Sequence, residues 1–398
     1  MSRLIFLGCM AYLTIGLGQL VVGAVMEPMV HAYGIQYGDG GQLVMNQFLG
    51  GLLGTLCAPW LMRRFGRKTL LLFGFAMMAA AEFAYASLPP WGVMLIIAPI
   101  TGFGFGMIET LVGSLIIAGT GERANVAMSR VETFFGIGAL IIPFAGAALI
   151  EIGQWRMAFG VVALLAIVTF GLWLKLLPAS IGSGKAGESE EAGAASLPRS
   201  SAGRYRAVML VCALFFVVYV GMEMSFVHYL PSMLVQSDDL SEATATLALS
   251  IFWGAMTLGR LVAGNVADRL GGASYLLGTC LAALVVFLLM SLTGGATAIF
   301  VLTFFAGLFL SGMFAIALVF TNRAVPGMTE RTTSTLIACG LLGGAIVPKV
   351  AGWSLDHYDV SATRWLFTLV AALMLLTMAA AVVLSNRTGK PVAASNRI

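Results

Sequence analysis

A chain of 398 residues that is 59% hydrophobic and only 10% charged, against roughly a quarter charged in soluble domains, takes a bilayer rather than water as its main solvent. The formal charge of +4 is spread over short loops flanking apolar runs, which argues against a nucleic-acid partner. The five cysteines, Cys9, Cys57, Cys212, Cys280 and Cys339, lie in or near apolar runs and form no CxxC pair, so no disulfide framework, metal site or cofactor is expected.

Crossing a hydrocarbon core about 30 Å thick takes about 20 apolar residues as a helix. Twelve such stretches follow one another from Leu4 to Leu384, unbroken runs rather than alternating barrel strands, so the fold class is an all-α membrane protein. The start, Met1-Ser2-Arg3 and a long apolar run without a cleavage site, reads as a first span and not a leader. Helices are predicted over 4–30, 41–62, 69–88, 92–119, 126–151 and 155–177. Then comes 178–204, rich in Gly, Ser and Ala and carrying Glu188, Glu190 and Glu191, a solvated linker by composition. Its Gly182-Ser183-Gly184-Lys185 lacks the spacing of a phosphate loop. Helices resume over 205–235, 242–266, 273–293, 296–322, 332–355 and 363–385. The expected domains are therefore an N-terminal six-helix bundle (1–177), the linker (178–204) and a C-terminal six-helix bundle (205–398).

Nearly all Lys and Arg fall on the even connections and the termini, leaving Arg156 and Arg364 on odd connections and Arg260 and Lys349 inside predicted spans. Because basic residues of short loops stay on the cytoplasmic side, both termini are expected to be cytoplasmic, in a bacterial-type inner membrane. The two halves echo each other. Gly18 and Pro28 match Gly221 and Pro231, and Gly138 and Pro143 match Gly343 and Pro348. Gly54, twelve residues before Gly66, matches Gly259, twelve before Gly271.

One of these repeats is a motif. Gly264-Asn265-Val266-Ala267-Asp268-Arg269-Leu270-Gly271 carries the loop pattern G-x-[LV]-A-D-R-x-G, and through it the chain resembles the major facilitator superfamily over essentially its whole length. The resemblance implies twelve helices in two pseudo-symmetric bundles and a conformational latch at Gly264, Asp268, Arg269 and Gly271. In the first half the same loop has Pro59 for the glycine and Arg63 for the acid. A narrower resemblance is to the fucose-galactose-glucose:proton symporter family. It rests on Gly102-Phe103-Gly104-Phe105-Gly106-Met107-Ile108-Glu109-Thr110, on Tyr219-Val220-Gly221-Met222-Glu223 running on to Tyr229-Leu230, and on Gly259-Arg260 before Gly264. The chain departs from that family where Ala24 replaces a first-helix acid, with Glu27 nearby, where Gly113 replaces an asparagine, and where Glu132 replaces a glutamine.

An ionised side chain at the bilayer centre costs at least about 2.5 kcal/mol, so each must be paired, protonated or turned to a cavity. Glu109, about seventeen residues into the fourth helix, is the expected proton site, against the alternative of a structural hydrogen-bonded glutamate. Glu132 shares that proton or pairs with Arg130. Glu223, near mid-depth with Tyr219 and Phe226 close by in sequence, lines a central cavity or neutralises a basic group of its own bundle. Gln19, Asn46 and Trp253 are further candidate substrate contacts, with interhelical packing as the rival reading. Arg260 reads as a snorkelling or paired residue of the cytoplasmic end, His228 as a packer, and Lys349 as facing the outer vestibule or interface.

The expected function is secondary active transport of a small organic solute by alternating access, as proton-coupled uptake of a sugar-like or other polar solute. The expected partners are that solute, protons and the lipid bilayer, and the protein is expected to be a monomer. A proton-antiport exporter of drugs or metabolites is the alternative, from the fifth-helix pattern Gly138, Pro143, Gly146. A non-transporting sensor or scaffold would need a soluble output module, and the longest polar stretch is 178–204. An enzyme would need a nucleophile with its base, a metal cluster or a cofactor loop, and the sequence presents none.

Overall fold

The computed structural model describes residues 2–120, 124–177, 202–238, 240–325 and 329–388, and among them the regular structure is entirely helical. Most of the linker expected at 178–204 lies outside the described residues. The first half comprises α1 (Ser2–Ala24), α2 (Met26–Tyr33), α3 (Tyr37–Phe65), α4 (Arg67–Ala86), α5 (Trp91–Thr120), α6 (Ala124–Glu151) and α7 (Met157–Leu176). The second comprises α8 (Ala202–Asp238), α9 (Glu242–Leu270), α10 (Gly272–Leu292), α11 (Ala296–Leu310), α12 (Met313–Ala324), α13 (Thr329–His357) and α14 (Val360–Thr388).

These helices make twelve crossings, because α1 runs on into α2 and α11 into α12. Eleven crossings are long and apolar enough to span a bilayer by composition alone. The other is α3, whose glycines and terminal Asp39, Arg63 and Arg64 dilute its hydropathy, yet its 29 residues reach about 44 Å.

Both interruptions differ from the continuous helices expected over 4–30 and 296–322, and both have local causes. Pro28 has no N–H to give the Ala24 carbonyl and its ring crowds that group, so the helix breaks at Val25. The freed Ala24 carbonyl instead accepts from the Thr246 hydroxyl of α9 at 3.2 Å. In the second half Gly312 adopts φ +70°, which turns the chain between α11 and α12. The carbonyls exposed there are taken up by tyrosines, Leu310 by Tyr219 and Ser311 by Tyr275, each at 3.1 Å.

Within the first half α3 packs on α5, α1 on α6 and α4 on α7; within the second α8 packs on α13 and α14, α9 on α11 and α10 on α14. The α3–α5 contact is set by glycine. A Cβ on Gly102 or Gly106 would land on the carbonyls of Gln47 or Gly51, so these positions admit no side chain at this spacing. The pseudo-symmetry extends to backbone angles, since the turn glycines Gly66 and Gly271 have φ 81° and 84°. Gly138 of α6 and Gly343 of α13 likewise abut backbone carbonyls of the first helix of their own half, Leu13 and Val217. Gly18 and Gly221 do not correspond in this way: the first faces Phe105 and Val162 of its own bundle, the second faces Val347 of α13.

Candidate functional site

The two halves meet along α3–α13 and α6–α9, and the contact is one-sided. One end of the molecule, the basic end, carries the turns with Arg63, Arg64, Arg67, Lys68 and Arg269; the other is the far end. On the far side Gly38 lies against Asp356, Gly41 against Pro348 and Lys349, Gly344 against Phe48, and Gly23 against His228. Along α6–α9, Gly146 approaches Thr246, Leu140 approaches Gly254, and the rings of Phe135 and Trp253 meet edge to face at 6.2 Å. Gly136 against Thr257 is the next step.

One turn further toward the basic end the packing gives way to charge. Glu132 of α6 and Arg260 of α9 are solvent-exposed and within electrostatic reach of each other across the halves, without forming an ion pair. Glu109 of α5 is likewise exposed, beside Glu132, and both lie within reach of the Tyr12 hydroxyl of α1. Arg260 also reaches the buried Glu223 of α8, whose carboxylate sits one turn from Tyr219. Tyr12, Glu109, Glu132 and Arg260 all stand about 12 to 16 Å from the basic ends of their helices at 1.5 Å per residue. Glu109, Glu132 and Arg260, exposed at that depth with the buried Tyr12 beside them, wall a cleft between the halves. Its roof is the Phe135–Trp253 pair and it opens toward the basic end. Beside it, among the described residues, stand three carboxyls, one from α8 and two from the first half, with the Arg260 guanidinium in reach of Glu132 and Glu223.

The sequence candidates fall into different places. Glu109, Glu132 and Glu223 are brought together, and Glu132 faces Arg260 of the other half rather than its neighbour Arg130. Arg260, ten residues from the end of α9, links Glu132 of one half to Glu223 of the other, and Tyr12 joins Glu109 and Glu132 unforeseen. Trp253 is buried with its indole N–H unpartnered, two turns from Arg260 on the same face of α9. Gln19 is half-buried on α1, one turn before Gly23, which faces the other half. Tyr219 is buried, and its hydroxyl reaches both the Leu310 carbonyl, at 3.1 Å, and the Glu223 carboxylate. Asn46 is turned away from the cleft: its amide donates to the Leu95 carbonyl at 3.1 Å and its oxygen accepts from Gln42 at 2.9 Å. The Leu95 carbonyl is free because Pro99 lies four residues on. His228 is buried with Nδ1 donating to the Met224 carbonyl, a packing residue at the meeting of the halves.

Gly264, Asp268 and Gly271 border a cavity of about 480 Å³ at the basic end with Arg323 on its wall. Among the described residues Asp268 and Arg269 make no side-chain hydrogen bond or ion pair. Sequence reasoning passed over Glu82 of α4, a carboxyl closed inside the first bundle with one oxygen unpartnered and remote from the cleft.

The sequence profile of the major facilitator superfamily matches residues 8–303 and 230–397. The chain belongs to the major facilitator superfamily. It is similar to the glucose/mannose transporter GlcP of Bacillus subtilis (strain 168), 28% identical over 370 residues that cover 91% of this chain and 90% of that protein. In fold it matches a mutant form of the nucleoside transporter NupG with TM-score 0.78 at 14% identity, covering 96% of this chain and 99% of that one. A D-xylose-proton symporter matches with TM-score 0.77 at 15% identity, covering 95% and 97%. This superfamily member is a multi-pass membrane transporter and not an enzyme.

Proposed function

We propose that the protein is a proton-coupled importer of a sugar-like solute, working by rocking of the two bundles about the cleft. The observation that carries this reading is the cluster of Glu109, Glu132, Glu223 and Arg260. Charged groups are costly at this depth, so a sequence that keeps them around a hydrated cleft is using them. Three acids against one base leave the cleft with an excess of negative charge, which proton binding offsets. Glu109 is the coupling residue, an acid open to the cleft and outside the reach of Arg260, and Glu132 shares its proton.

The solute site in this reading is formed by Gln19, Tyr219, Glu223 and Trp253. A sugar suits it on chemical grounds. Carboxylates accept from several hydroxyls at once, an unpartnered indole N–H donates to one, and aromatic rings cover the apolar face of the ring. The likeness to a glucose/mannose transporter supports the same class. Asn46 has no part in it, because its hydrogen bonds are already committed within the first bundle.

The basic end is cytoplasmic, by the retention of Lys and Arg on that side, so the state described here is closed outward and open inward. Both termini are then cytoplasmic, the membrane is a bacterial inner membrane, and a monomer with bundles at 1–177 and 205–398 suffices. Asp268, Arg269, Gly264 and Gly271 form a latch that engages when the cytoplasmic side closes and stands open here.

The test is transport by purified protein in proteoliposomes under an imposed acid-outside gradient. Labelled glucose or mannose accumulates above the bath concentration, and an uncoupler abolishes the accumulation. Gradient-driven efflux of lipophilic dyes with no hexose accumulation would replace this reading with the exporter.

A further inference from the structure

The first turn of α3 reads Tyr37-Gly38-Asp39-Gly40-Gly41 after Gln36, and a helix start leaves its first N–H groups without intrahelical partners. Part of that need is met locally by a capping box, in which the Gln36 N–H donates to the Asp39 carboxylate at 3.2 Å. The N–H groups of Tyr37 and Gly38 go elsewhere. They donate to the two oxygens of Asp356, both at 2.6 Å, and Asp356 stands in the last turn of α13 in the other half. A carboxylate from one bundle thus sits on the positive end of a helix of the other.

The same two residues are held by their carbonyls as well. Lys349 of α13 donates to the Gly38 carbonyl at 2.7 Å, and Tyr229 of α8 donates to the Tyr37 carbonyl at 2.8 Å. The approach needs glycine: a Cβ on Gly38 would meet the Asp356 carboxylate at 2.7 Å, and one on Gly41 would meet the Pro348 carbonyl at 2.8 Å and Lys349 Cα at 2.9 Å. The Tyr37 hydroxyl donates in turn to Glu27 at 2.8 Å, tying α2 to the same point. Beside it, His31 of α2 meets Glu242 of α9 at 2.9 Å.

We infer that Asp356, Lys349 and Tyr229 form a lock on the far mouth, holding the start of α3 while the cleft is open at the basic end, and that its release is a step of every transport cycle. The two ends are in complementary states, the far end bonded across the halves through the Tyr37 and Gly38 backbone and the basic-end loop at Asp268 and Arg269 unbonded among the described residues. The inference takes the rocking of two bundles as given, and depends on neither the solute nor the coupling ion proposed above.

The test is electron-paramagnetic distance measurement on protein with its five cysteines replaced by alanine. One spin-label pair sits at Ala32 and Tyr358 on the far end, another at Phe65 and Leu270 on the basic end, all exposed positions outside the lock. In Asp356→Ala the ratio of long to short distances at the far pair rises on the order of tenfold, the scale of losing a charged helix cap. The basic-end pair shortens in parallel. Tyr229→Phe, which removes one hydroxyl only, gives the same two changes at smaller amplitude and serves if Asp356→Ala does not elute as a folded species. Unchanged distances in both variants overturn the inference. So does a lengthened far pair without a shortened basic-end pair, which reports only fraying of the helix end. The distances are read without hexose or a proton gradient, so failure here and failure of the transport reading are separable.

Discussion

Asn46 and Thr246 serve the same purpose in different places: each closes a hydrogen bond that a proline leaves open, Asn46 at Leu95 four residues before Pro99 and Thr246 at Ala24 four residues before Pro28. This separates packing polar residues from cleft residues. Asn46→Ala leaves the part-buried Leu95 carbonyl without its partner and is expected to lower stability by about 1 kcal/mol, seen as a lower melting temperature, with solute affinity unchanged. A matching loss of affinity at unchanged stability would return Asn46 to the solute site. The cost of charge in lipid drew attention to Glu109 and Glu223 from sequence alone, and it applied equally to Glu82 and Arg260. Sequence does not say which neighbour a helix face meets. A carboxyl closed inside a bundle, as Glu82 is, looks the same as one walling a cleft, and Arg260 looks like a helix-end residue until α6 is placed opposite it.

Among the helices, spacing was easier to read than continuity. Runs of about 20 apolar residues located every crossing, because the bilayer imposes that length on any helix that spans it. The interruption at Val25 has a visible cause in Pro28, whereas Gly312, with its left-handed φ, is one of 48 glycines and nothing in the sequence distinguishes it. Gly102 and Gly106 were legible as close-contact positions because they recur four apart in the fourth helix, and the structure sets both against backbone of α3. Gly102→Leu must push α5 away from the Gln47 carbonyl, and overpacking of this kind costs about 1–3 kcal/mol or more. The expected result is loss of the monodisperse peak in size-exclusion chromatography of the solubilised protein. A variant that elutes and transports normally would show that α3 and α5 do not pack this closely.

At the scale of the whole molecule, the repeated pattern Gly54…Gly66 and Gly259…Gly271 foretold two matched bundles, and the turn glycines repeat it in their angles. What the sequence did not contain is the state. The far mouth is closed by contacts between residues more than 300 positions apart, such as Gly38 with Asp356, and only the assembled fold brings them together. Closure at one end, a charged cleft at the other and an unbonded loop at Asp268 among the described residues make a single arrangement, in which the acids proposed to couple transport stand open to the basic end alone. The most direct test of that coupling is Glu109→Gln, which keeps the shape of the side chain and removes its capacity to ionise. In proteoliposomes preloaded with unlabelled hexose the variant should exchange labelled hexose at the wild-type rate, because exchange needs no net proton movement. Under an acid-outside gradient it should fail to accumulate hexose. Accumulation equal to that of the wild-type protein would show that Glu109 does not carry the proton.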